Sequence, residues 1–194
     1  MKYRLLIIIL FLIVKSSIGQ EFTDLKGDYL GLKPPGLLPE VFAPGIVSDT
    51  SWREHCQVAF SPKGDEIYWS RFSEDKVNFL RFKYSEGVFT NPTTVNIYKD
   101  SPSWWPLYFS PDETYIIFPF AMEGGYGGLD LYVNYKDEND AWGKPINLGP
   151  EINTKTSERF PIVSPDGKYL FFMRHTPGQD FFWASAEIIN ELNK

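Results

Sequence analysis

Three observations in the amino-acid sequence predict an all-β fold, a β-propeller built of four-stranded antiparallel blades, about three of them in this chain. The phrase SPKGDEIYW at 61–69 returns as SPDETYIIF at 110–118 and as SPDGKYLFF at 164–172. Its serines, Ser61, Ser110 and Ser164, stand 49 and 54 residues apart, and periods of about 40–50 residues suit four-stranded propeller blades. Aromatic residues make up 17% of the chain, beside 15 Gly and 15 Pro, which favours many short strands joined by turns.

The first nineteen residues stand apart from the repeats. MKYR is a basic start, LLIIILFLIV at 5–14 is a ten-residue apolar run, and Ser17, Ile18 and Gly19 offer small residues for cleavage. This is the layout of a secretory signal peptide, cut after Gly19, and it predicts an exported protein, periplasmic or extracellular. A membrane span needs about 20 apolar residues, and Lys15 interrupts early; an uncleaved anchor is the alternative. Cys56 is the only cysteine, so an internal disulfide is impossible and the residue reads as a small buried apolar group.

Residues 20–38 read as an extended segment, and 39–194 as the repeats, with blades at about 50–99, 100–152 and 153–186. Each blade contains the same turn. In SPDG, Ser takes position i, Pro sets φ at i+1, and Asp and Gly follow, the preferences of a type I turn. A glycine with positive φ completes a three-residue hairpin loop with a bulge. Short apolar strands precede it at 58–60, 107–109 and 161–163, and others follow it at 67–69, 115–118 and 169–173. Third strands open with NFLR at 78–81, DLYV at 130–133 and DFFW at 180–183. Trp142 with Pro145 matches Phe89 with Pro92 at one separation, and Pro145 confines that fourth strand to an edge. Two copies depart from the turn pattern. Glu113 replaces the glycine, at a cost of roughly 1 kcal/mol if the backbone is left-handed, and Lys63 replaces the aspartate.

The third copy lacks a Trp…Pro strand and ends in AEIINELNK, a short helix-like tail. Residues 39–47 precede the first copy as 144–149 precede the third, so they are expected to supply the outer strand of the last blade and close the ring.

The SPDG turn, the LFF-type strand after it, GGYGGLDLYV at 124–133 and WGKPINLGPEIN at 142–153 resemble the WD40-like β-propeller repeat family, in its TolB-like six-bladed group. GDYLGLKPPGLLPEVFAPGIVS at 27–48 and the DFFWASAEIINEL ending resemble exported bacterial members with a reduced number of repeats. The resemblance implies a fold and leaves activity open, because propellers host many unrelated functions. Three repeats are fewer than the four to eight blades that close a ring. An open arc, a homodimer completing the propeller, and an unstable shortened paralogue all remain open.

Composition excludes a nucleic-acid surface: the net charge is −6, with no basic stripe. No HExxH, Cys/His cluster, P-loop or serine elbow is present, and GGYGG leads into a strand rather than a helix. Asp137, Glu138 and Asp140 could hold calcium, yet they suit a solvated hairpin tip; no metal and no cofactor is predicted. The segments entering each first strand carry aromatics and charges beyond what packing asks for. Arg53, Glu54 and His55, then Trp104 and Trp105, then Glu158 and Arg159 form the candidate ligand-binding set. Trp104 and Trp105 point apart on a strand, so one could pack and the other face a ligand, or both could pack between blades. The function expected is non-catalytic binding or scaffolding, with a protein, peptide or glycan partner at the cell envelope. The alternative is a glycan-processing hydrolase or lyase using Glu/Asp and His55.

Overall fold

The computed structural model describes residue 26 and residues 28–73, 76–95, 107–139 and 141–194. The signal peptide expected at 1–19 lies outside the described residues, as do Trp104, Trp105 and Asp140.

The chain is all-β, and among the described residues its strands form three wholly antiparallel sheets, one for each copy of the repeat. The first sheet runs β1 (Arg53–Phe60), β2 (Glu66–Ser73), β3 (Lys76–Ser85), with short β4 (Val88–Phe89) and β5 (Thr93–Thr94) both paired to β3. The second runs β6 (Tyr108–Phe109), β7 (Tyr115–Phe120), β8 (Asp130–Tyr135), β9 (Ile146–Asn147). The third has β10 (Glu158–Val163), β11 (Tyr169–Arg174) and β12 (Asp180–Ser185), followed by helix α1 (Glu187–Glu191), where the tail was expected to be helical. Each sheet is a meander, as short connections dictate.

The repeated turn has one geometry throughout. The amides of Gly64, Glu113 and Gly167 donate to the carbonyls of Ser61, Ser110 and Ser164 at 2.8, 2.9 and 2.8 Å. All three residues have positive φ, at 74°, 61° and 73°. Each serine Oγ also accepts the amide five residues on, from Glu66, Tyr115 and Tyr169, at 3.0 Å in every copy. The serine is therefore a structural acceptor in all three turns.

The two departures from the pattern meet each other. Glu113 is almost fully buried, and its carboxylate accepts the Lys63 backbone amide at 2.7 Å and pairs with Lys63 Nζ at 2.7 Å. The residue that strains the second turn thus ties it to the first, where aspartate at position 63 would repel it.

Alternation along the middle strands decides the packing. Ile116, Phe118 and Phe120 face the first sheet and join Tyr68, Phe79 and Phe109 in one core. Ile117, Leu131 and Val133 face the third sheet and meet Leu170, Phe172 and α1 residue Ile189. Between the first two sheets, buried Glu66 accepts Tyr68 Oη at 2.8 Å and lies 3.4–3.8 Å from Arg81, Lys83 and Lys136. Trp142, recognised in sequence as a repeat anchor, donates its indole N–H to Tyr68 Oη at 3.2 Å. Burial beside that carboxylate raises the Tyr68 hydroxyl well above the ordinary tyrosine range.

The structure corrects the expected role of 39–47. Those residues form no strand beside β12; the third sheet has three strands among the described residues. Ala43 (φ 45°) and Gly45 (φ 78°) instead fold the segment into a turn, in which the amides of Ile46, Val47 and Ser48 all donate to the Ala43 carbonyl. This turn, with Leu30, seats Ala43 and Val47 on Ile67, Trp69, Leu80 and Phe82 of the first sheet. The segment therefore covers the outer face of the first sheet, where a preceding blade would stand.

Candidate functional site

Two of the three entry segments lie within described residues, and both are strand rather than loop. In each, a β-bulge breaks the register, between His55 and Ala59 in β1 and between Arg159 and Ile162 in β10. The irregularity absorbs two residues in β1 and one in β10 and lets pairing resume beyond it; ahead of it Arg53 stands opposite Phe72 and Glu158 opposite Arg174.

At the start of β1 the paired strand ends carry two stacked cation–ring contacts. The Arg71 guanidinium lies 4.7 Å over the Trp52 ring, and that of Arg53 lies 5.1 Å over Phe72. Trp52 is fixed because its indole N–H donates to the Val47 carbonyl at 3.0 Å, on the segment that covers the first sheet. Arg71 Nε is buried with no hydrogen-bond partner among the described residues. Arg53 and Glu54 are exposed, and Glu54 accepts the Asp49 amide at 3.2 Å. Hydrogen bonds from Ser51 to Asp49 lower that carboxyl below its ordinary range. His55 lies in β1 opposite Ser70. This edge therefore offers guanidinium groups with ring faces beneath them and a nearby carboxylate.

Glu158 occupies a different setting. Its carboxylate is wholly buried, accepts Arg174 Nε at 2.9 Å and Thr154 Oγ1 at 2.7 Å, and takes the Thr154 amide at 3.2 Å. Arg174 also donates to the Ile152 carbonyl at 2.8 Å and stacks 4.3 Å over Phe182. With no exposed surface, Glu158 holds the 152–158 connection onto β11 and offers a ligand nothing in this arrangement. Arg159 beside it is half-buried opposite Met173.

The GGYGG run is a loop between strands, as expected, and its glycines have a packing cause. A Cβ on Gly127 would lie 2.2 Å from the carbonyl oxygens of Thr154 and Thr156, and one on Gly128 would lie 2.4 Å from Ser157 Oγ. Buried Asp130 gathers the loop by accepting the amides of Tyr126 and Gly127 and the side chain of Asn147. Tyr126 is left exposed at the tip. At 137–141, Asp137 Oδ1 accepts the amides of Asn139 and Ala141, which is the bonding of a hairpin tip. Among the described residues no group of three or more His, Cys, Asp or Glu side chains could hold a metal.

Sequence reasoning missed Arg71, Phe72 and Tyr126. Arg71 and Phe72 lie beyond the second-strand apolar run, and only the register reveals that they stand beside 52–54.

No family model matches the chain, and no curated protein matches it. Among solved structures it is similar to a putative 6-phosphogluconolactonase from Bacteroides uniformis, at 15% identity and a TM-score of 0.34. The match covers 66% of this chain and 38% of that one, so this chain spans well under half of its length.

Proposed function

We propose that the chain is an exported, non-catalytic binding module of the TolB-like, WD40-like repeat type, which takes a protein, peptide or glycan ligand on the edge made by 52–54 and 71–72. One observation carries this reading: the two guanidinium–ring stacks side by side on adjacent strand ends. A guanidinium stacked on a ring keeps its N–H edge available for carboxylates and hydroxyls while its position is fixed, so little conformational entropy is lost on binding. The net charge of −6 opposes polyanions and suits a ligand with isolated acidic or hydroxyl groups. A hydrolase or lyase needs two carboxylates converging at one site, and Glu158 is already committed to Arg174 and Thr154.

The test uses the chain from Gln20 on a glycan array and a displayed peptide library. Any ligand recovered is measured by calorimetry against wild type, Arg53→Ala and Arg71→Ala. A tenfold or greater loss in each variant, with the ligand recovered intact, is expected. Unchanged affinity in both variants, or cleavage of the ligand, refutes the reading.

A further inference from the structure

The register makes positions in the three sheets equivalent. Tyr68, Ile117 and Phe171 correspond in the middle strands, and Val133 corresponds to Trp183 and Leu131 to Phe181 in the third strands. All these positions point to the side where the next blade stands. In the first two sheets that side is covered, and Tyr68, Ile117, Leu131 and Val133 are 0% exposed. In the third sheet the same positions are open: Phe171 is 38%, Trp183 64% and Phe181 81% exposed, with Ile162 and Tyr169 beside them. Trp183 stacks on Phe171 at 6.0 Å and touches Tyr169 at 4.9 Å, so the rings form one continuous apolar face.

The two ends of the stack differ. Residues 28–48 cover the first sheet, so a second chain cannot seat its third sheet there without displacing Ala43 and Val47 from that core. We propose that this open face is an interaction surface for a second copy of the chain, packed third sheet against third sheet about a two-fold axis. The face is the side already buried against a following sheet twice in the chain, its apolar residues come from all three strands, and Arg174 turns away from it to pair with buried Glu158 on the opposite face. The five side chains expose roughly 500 Å² between them, given that aromatic residues bury about 150–250 Å² each. With flanking positions, that approaches the ~800 Å² per partner of a standard interface.

The experiment measures the solution mass of the chain from Gln20 by light scattering behind size exclusion, over a concentration series, with circular dichroism on each peak. Wild type is expected at twice the chain mass. The variant Phe181→Arg/Trp183→Arg is expected at one chain mass with an unchanged spectrum, because both side chains are largely exposed in the single chain. A Ser185→Cys variant in a Cys56→Ser background, treated with a long bis-maleimide, separates the two arrangements. Two-fold packing links residue 185 to itself, and a six-sheet ring places it against the partner's first sheet. A wild-type monomer throughout, a dimer that survives the double substitution, or a dimer without the 185–185 link each overturns the proposal.

Discussion

Lys63 and Glu113 provide a double-mutant cycle across the first two sheets. In Glu113→Gly, relief of the left-handed backbone (φ 61°) returns about 1 kcal/mol. Against this stands the loss of the charge-assisted bond from the Lys63 amide at 2.7 Å, about 1.5–3 kcal/mol. The Lys63 ammonium is mostly exposed, so its ion pair adds under about 1 kcal/mol. The net expectation is a loss of about 1–2 kcal/mol. Lys63→Asp removes the cation and sets a second carboxylate against buried Glu113, for a further ~1–2 kcal/mol after solvent screening. In Lys63→Asp/Glu113→Gly the repulsion is gone and both turns carry their preferred residues. The double variant is therefore expected to lose less than the sum of the two single losses, with a coupling of about 1–2 kcal/mol. Urea denaturation followed by circular dichroism measures all four corners. Additivity within about 0.5 kcal/mol, the usual result for independent sites, would show that Lys63 and Glu113 are not coupled.

Substitutions at three other positions test an ion pair, the packing and a buried hydroxyl. Glu158→Ala leaves Arg174 partly buried without its carboxylate and should cost about 2–4 kcal/mol, reduced from the fully buried case because Arg174 keeps some exposure; Glu158→Gln should cost less, and thermal unfolding distinguishes them. Phe118→Ala opens a cavity between the first and second sheets and should cost about 3–5 kcal/mol in urea denaturation. Burial pushes the hydroxyls of Tyr115 and Tyr135 up to about 12. A pKa raised in the folded state gives stability that is full below about pH 10 and lost as pH climbs towards 12. Tyr135 also donates to the Ile189 carbonyl on α1, so Tyr135→Phe should flatten the alkaline fall in the urea midpoint, although it weakens the protein at neutral pH.

The turns and middle strands were legible because their chemistry is local. Ser-Pro-Asp-Gly specifies its own hairpin, and the doubly apolar runs after it can only be strands buried on both faces. What escaped depends on partners far along the chain. Glu158 looked like an entry-loop carboxylate, yet Arg174 stands opposite it once the Arg159–Ile162 bulge resets the register. Residues 39–47 carry strand-like composition, but positive φ at Ala43 and Gly45 makes a turn, and packing on Trp69 and Phe82 fixes where it lies. Arg71 and Trp52 are 19 residues apart, and nothing short of the β1–β2 register brings them together.

Hydrogen exchange on the chain from Gln20, read by mass spectrometry at peptide resolution, tests the stacked arrangement most directly. Three separate slow segments are expected at β2, β7 and β11, together with protection of 46–48, whose amides are bound to Ala43 on the covered face of the first sheet. Exchange of 46–48 as fast as the chain ends, or a third sheet without protection, would contradict that arrangement.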